Sequence, residues 1–306
     1  MRGIVLIVIG VALASGGRGV LRAGEPGVVL RSPAVSALTN LPWPAPVESE
    51  VEQLVAELKR DLPDYSIHKV GPWVVATNLS DAKVTRYLEG TIATYAAQIQ
   101  RQIFRKFPRK TPVKVLLFKD RLSYESGCKK LFGQIPDTPY GFYSRQFNSM
   151  AMNIATGGGT LLHEMVHAMA ESDFPRIPAW LNEGIGSLFE ASDMRNDGSI
   201  VGIKNWRMGE LLPAIQAKSA TPLSELLAMS DERFYGDRSS LNYAVSRYFM
   251  QYLQEHRKLE GFYTRFRDCP EETATKSLLG LFGNAKTVEE IEAEYHAWVK
   301  ELGPVK

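Results

Sequence analysis

Five residues, His163-Glu164-Met165-Val166-His167, constrain this chain more than any other stretch. At 3.6 residues per turn, histidines four apart lie one turn apart and present both imidazoles on the same side of a helix. Glu164 lies beside them, placed to reach a metal-bound water rather than the metal. Leu161, Leu162, Met165 and Met169 point roughly opposite, so a helix over 161–170 has one packing side and one chemical side. Two neutral imidazoles suit zinc, and a catalytic zinc takes three protein ligands while leaving a fourth position for water.

The third ligand should come from nearby, and the stretch 178–191, PAWLNEGIGSLFEA, offers Glu183. Read as a helix, it gathers Glu183, Gly186, Ser187 and Glu190 on one face and Leu181, Ile185, Leu188 and Phe189 on the other. Gly184 and Gly186 each cost a helix about 1 kcal/mol against alanine. They make sense where this helix approaches the histidine helix closely, with Glu183 aimed at the metal.

HEMVH followed by WLNEG resembles the gluzincin zinc metallopeptidases, and WLNEGIGSLFE is similar to the equivalent helix of the zinc aminopeptidases. The nearest overall likeness is to bacterial peptidase MA-like families, from about Val70 to the C-terminus. The resemblance implies one zinc per chain held by His163, His167 and Glu183, with peptide or protein as substrate. It also implies a substrate-binding edge strand beside the histidine helix, for which 150–154 is the candidate, and a tyrosine donor to the oxyanion. Tyr243 stands at a similar distance in a similar Tyr-Ala context, with Tyr248 as second choice. Two departures concern exopeptidase specificity. Only 15 residues separate His167 from Glu183, fewer than in the aminopeptidases, and Ser149-Met150-Ala151-Met152-Asn153 lacks the glutamate that would hold a free amino terminus.

The chain's 306 residues are enough for a substantial core, and its net charge of +2, without a long basic run, argues against nucleic-acid binding. Arg2 and an apolar run over 3–14 ending in Ala12-Leu13-Ala14 read as a secretory signal peptide, cut after Ala14 or near Ala23. An uncleaved anchor is the alternative. No later stretch is long and apolar enough to span a bilayer, so the mature chain is expected to be secreted or periplasmic. Cys128 and Cys269 either pair or stay as free thiols.

In chain order, 15–47 is a Pro- and Gly-rich linker or strap, as in Leu41-Pro42-Trp43-Pro44. Helical spacing covers 48–62 and 81–107, the latter from a Ser80 cap, and 122–132 is a further helix. Strands are expected at 73–77 and 113–118, with a hairpin over 140–154 turning near 146–148. Gly157-Gly158-Gly159 leads into the histidine helix, as a flexible or a tight connection. After Glu190, Asn196-Asp197-Gly198 turns between two short strands. Helices then follow at 206–216, 222–228, 240–256, 261–267, 271–281 and 288–301. The expected fold is α+β: a zincin-like lobe with a mixed sheet and active-site helix over 48–203, then a helical lobe over 204–306. His68, His256 and His296 read as surface residues, and Phe262, Tyr263 and Phe266 as core.

The expected chemistry is peptide hydrolysis by a metal-activated water, with Glu164 as general base. An exported zincin-fold binding protein without turnover, and a zinc hydrolase of a non-peptide substrate, are the alternatives.

Overall fold

The computed structural model describes residues 43–105, 111–283 and 285–305. The expected signal peptide and most of the linker lie outside the described residues. Of the linker, Trp43 is buried with its ring edge-on to Trp73, the centroids 5.8 Å apart. It covers Gly71, whose φ of +57° makes the turn between the first two strands and whose missing Cβ leaves room for the indole.

A mixed five-stranded sheet forms from β1 (Ser66–Val70), β2 (Trp73–Thr77), β3 (Val113–Phe118), β4 (Gly141–Ser144) and β5 (Ser149–Asn153), in the order β1-β2-β3-β5-β4. β2, β3 and β5 run parallel, and the outer strands β1 and β4 are antiparallel to their neighbours. Period-two alternation sends Val75, Val115, Leu117, Met150 and Met152 to one face and Val74, Ala76, Leu116, Phe118 and Ala151 to the other. The second face is covered by α1 (Glu48–Asp61) and α4 (Arg121–Phe132), through Val51, Leu58, Tyr124 and Cys128. The first is covered by a long helical crossover and by α5 (Gly159–Asp173), so the fold is α+β in three layers around the sheet.

Two expectations about this half are corrected, and one strand was not among those expected. The helix expected over 81–107 ends at Gln102, where Ile103 leaves helical geometry, and its middle is π-helical: α2 (Asp81–Thr85), a π segment (Arg86–Ala96) and α3 (Ala97–Gln102). The Thr94 hydroxyl donates to the Glu89 carbonyl five residues back, and the Ser80 side chain makes no cap bond. Apolar periodicity over one segment does not distinguish this wider winding from an α-helix. Second, 150–154 is not the edge: β5 is enclosed between β3 and β4, and β4 is the outer strand beside α5. The strand not expected is β1, which has mixed burial and pairs along its length with β2.

After α5 comes α6 (Ala179–Glu190), then a ribbon of β6 (Ser192–Met194) and β7 (Ile200–Gly202) turning at Gly198. The remaining helices are α7 (Met208–Gln216), α8 (Leu223–Leu227), α9 (Asp231–Phe234), α10 (Ser239–Glu255), α11 (Leu259–Asp268), α12 (Ala274–Gly280) and α13 (Val288–Leu302). Among them α9, four residues long, was not anticipated. No helix among the described residues is long and apolar enough to cross a membrane.

α10 packs along α6 at close range. A Cβ on Gly184 would collide with Ser246, whose hydroxyl donates to the Trp180 carbonyl. The fully buried Arg247 donates to the carbonyls of Ser187 and Ile203 and to Gln251, and lies over the Tyr248 ring. Tyr248 itself donates to the Asn205 carbonyl and accepts from the Asn205 N–H, which makes this second-choice tyrosine a structural residue. Phe262 and Tyr263 are core, Cys128 and Cys269 are free thiols, and His296 is half-buried rather than on the surface.

At the far end of α5, Asp173 accepts from the Tyr263 hydroxyl at 2.9 Å and from the Arg267 guanidinium, both on α11. Arg267 keeps a second carboxylate, Asp268, at 2.8 Å. Removing Asp173 leaves the buried Tyr263 hydroxyl without its acceptor and Arg267 with Asp268 alone. Asp173→Ala is therefore expected to cost about 3 kcal/mol in denaturant unfolding; a loss below about 1 kcal/mol, the range of an exposed pair, would show that the cluster does not clamp α5.

Candidate metal centre

α5 is buried on all sides, its chemical side included, because α6 lies against the face that carries His163 and His167. Gly186 makes this contact possible: a Cβ there would stand 3.1 Å from the His163 ring. Gly159 performs the same service at the start of α5, where a Cβ would collide with the Glu190 carbonyl. The glycines of this region thus serve close approach, although Gly184 faces α10 rather than α5.

The three expected ligands converge. Glu183 Oε2 lies 3.1 Å from His163 Nε2 and 3.6 Å from His167 Nε2. One donor atom from each residue falls within 4.8 Å of the others, and all three side chains are buried. The imidazoles stand nearly perpendicular, 80° between planes with centroids 4.6 Å apart. His167 Nδ1 lies 2.9 Å from Asn182 Oδ1, an acceptor, so Nδ1 carries the proton and donates. This leaves the lone pair of Nε2 facing Glu183, in a position with no hydrogen-bond partner. Two imidazoles and a carboxylate around an unsatisfied buried nitrogen form a donor set that can hold a metal ion.

Buried charge points the same way. Glu164, Glu183 and the Glu190 side chain are all out of solvent, and Arg207, 3.4 Å from Glu190 Oε2, is the cationic partner of Glu190. Burial pushes the Glu164 carboxyl up to about 8, with the neighbouring Glu183 adding to the rise and His163 and the Tyr143 backbone N–H opposing it. Glu164 Oε2 has no hydrogen-bond partner. Burial also acts to raise Glu183, but His167, a hydrogen bond from His163 and the Tyr235 hydroxyl outweigh it and hold that carboxyl near 2.

Tyr243 is buried, and its hydroxyl is directed at Glu183 without a hydrogen bond of full geometry. Burial and the nearby Glu183 raise its pKa well above the ordinary tyrosine value, which places the phenol beside the ligand set. Arg207 lies over its ring at 4.9 Å. A second tyrosine escaped the sequence: Tyr235, 36% exposed, donates from its hydroxyl to Glu183 Oε1 at 2.7 Å. It arrives there because Asp231, the first residue of α9, accepts from the Ala179 N–H at 2.8 Å and so caps α6, which has no side-chain cap of its own. The signal was an Asp 52 residues from the helix it caps, which no local pattern reveals.

For protein stripped of metal by a chelator, the Glu164 shift predicts a pH dependence. Between the unfolded value of 4.5 and the folded value of about 8 the native state binds more protons than the unfolded chain, so this group's contribution to stability falls as pH rises. Glu164→Gln, neutral at every pH, is therefore expected to melt above the parent at pH 8, with the difference shrinking toward pH 4.5. Parallel pH profiles for the two proteins would contradict the shift.

Residues 158–274 match a family described as proteins of unknown function, DUF1570, a stretch that contains His163, Glu164, His167, Glu183, Glu190, Arg207, Tyr235 and Tyr243. That family carries no peptidase name. No curated protein matches the chain.

Proposed function

We propose that the protein is a zinc-dependent hydrolase of peptide bonds, with a zincin-like arrangement of sheet, α5 and α6. The observation that carries this reading is the buried convergence of His163, His167 and Glu183 beside a Glu164 carboxyl oxygen that has no other partner. His163, His167 and Glu183 would hold the zinc. Bound there, zinc would polarise the scissile carbonyl and lower the pKa of a water toward 7.

The chain's own groups account for the proton movements. Glu164 takes the proton of the attacking water at Oε2 and passes it to the leaving amine. The Tyr143 N–H steadies its carboxylate. Tyr243 turns its hydroxyl from Glu183 to donate to the carbonyl oxygen as negative charge develops, an interaction worth about 3 kcal/mol where such donors are removed. Tyr235 holds Glu183 Oε1 and leaves Oε2 facing the imidazoles.

Edge strand β4, buried along its length, would have to be uncovered to take a peptide as substrate. Tyr140 exchanges a hydrogen bond with Asn153, so by alternation Phe142 and Ser144 face β5 while Gly141 and Tyr143 direct their backbone groups away from it. The Tyr143 N–H meets Glu164, so an extended peptide pairing along this edge would pass beside the base. Export of the chain rests on its N-terminal apolar run alone.

Glu164→Gln is expected to keep its zinc and to lose at least about 100-fold in cleavage of a peptide library, the usual range for a lost general base. Cleavage at the parent rate would remove Glu164 from that role. A zinc-loaded parent that leaves every peptide intact would contradict the peptidase reading in favour of a binding protein.

A further inference from the structure

The two imidazoles differ on the side away from the ligand set. His167 Nδ1 has Asn182 at 2.9 Å, whereas His163 Nδ1 is buried without a hydrogen-bond partner, and the polar group facing it is Glu190 Oε2 at 3.9 Å. Glu190 is the last residue of α6, two turns beyond Glu183 on the same face, and its side chain is 6% exposed. A carboxylate so buried needs a counter-charge, which Arg207, 5% exposed, supplies at 3.4 Å. Arg207 is fixed in turn by stacking over Tyr243. Contact between Gly159 and the Glu190 carbonyl, and between Gly186 and the His163 ring, leaves ring and carboxylate little room to part.

We propose that Glu190 is the positioning residue for His163: its carboxylate accepts from His163 Nδ1–H, fixing the tautomer that turns the Nε2 lone pair toward the metal, while Arg207 holds Glu190 in place. The bond requires a carboxylate rotation that shortens 3.9 Å to about 2.8 Å, the ordinary length of a charge-assisted N–H···O bond. His163 then has a carboxylate behind it where His167 has an amide. Arg207 would then join the backing of a metal ligand to Tyr243 through one guanidinium. The proposal rests on the metal-site reading above.

The test is competition for Zn2+ alone against a chromophoric chelator, using the full chain. If the parent does not bind Zn2+, the metal-site reading itself fails, and this proposal with it. If the parent binds, Glu190→Ala is expected to weaken Zn2+ binding about 10–100-fold, and Glu190→Gln, which keeps a carbonyl acceptor, to recover most of the loss. Arg207→Ala is expected to weaken binding in the parent and to add nothing in the Glu190→Ala background, because it acts on the metal through the carboxylate. Parent-like affinity in Glu190→Ala, or an equal Arg207→Ala effect in both backgrounds, would overturn the proposal. Should Glu190→Ala not fold, the zinc-loaded parent labelled with 15N-histidine decides. A His163 Nδ1–H protected from exchange and shifted far downfield is expected, and a freely exchanging one would overturn it.

Discussion

A carboxylate buried between two imidazoles is the constraint on which the rest of this molecule depends. Glu183 has no exposed surface, and removing an ionised group from water costs several kcal/mol unless its surroundings answer the charge. His163, His167 and the Tyr235 hydroxyl give that answer, and the two imidazoles reach Glu183 only when α5 and α6 touch. The sequence of both helices follows from this contact. Gly159 and Gly186 remove side chains where backbone or ring must come within van der Waals range, at a cost in helix propensity that an ordinary packing helix would not bear.

The C-terminal helices hold that contact rather than joining it. Ser246 and Arg247 of α10 donate to carbonyls of α6, Asp231 caps its start, and Tyr263 and Arg267 of α11 grip the end of α5. Each bond is buried or nearly so, where a polar group left unpaired costs more than a paired one gains. Polar contacts from later in the chain thus fix α5 at its end and α6 at its start and along its length. That arrangement suits a site whose donor atoms must stay within tenths of an ångström of one another.

The sequence made the ligand set legible because its spacing is local: four residues between histidines is one helical turn, and Glu183 sits on its own amphipathic helix. Strands β2 and β3 and the 141–153 hairpin were legible for the same reason, being short apolar runs between turn residues. What stayed hidden depends on long-range placement. Strand order decides that β4 rather than β5 is the edge, and alternation within a strand says nothing about its neighbours. Tyr235 is visible only once Asp231 is known to cap α6, and the Glu190–Arg207 pair only once the segment before α7 folds back over the end of α6. Tyr243 lies near Glu183, whereas Tyr248, in the same helix, bonds to Asn205.

The claim at the centre of this account is that His163, His167 and Glu183 together hold one metal ion. Metal content of the purified chain, measured beside Glu183→Ala under identical zinc exposure, tests it most directly. About one zinc per chain in the parent, lost from a variant that still folds, is the expected result. A parent that stays metal-free after zinc is supplied, or a variant with undiminished zinc, would contradict it.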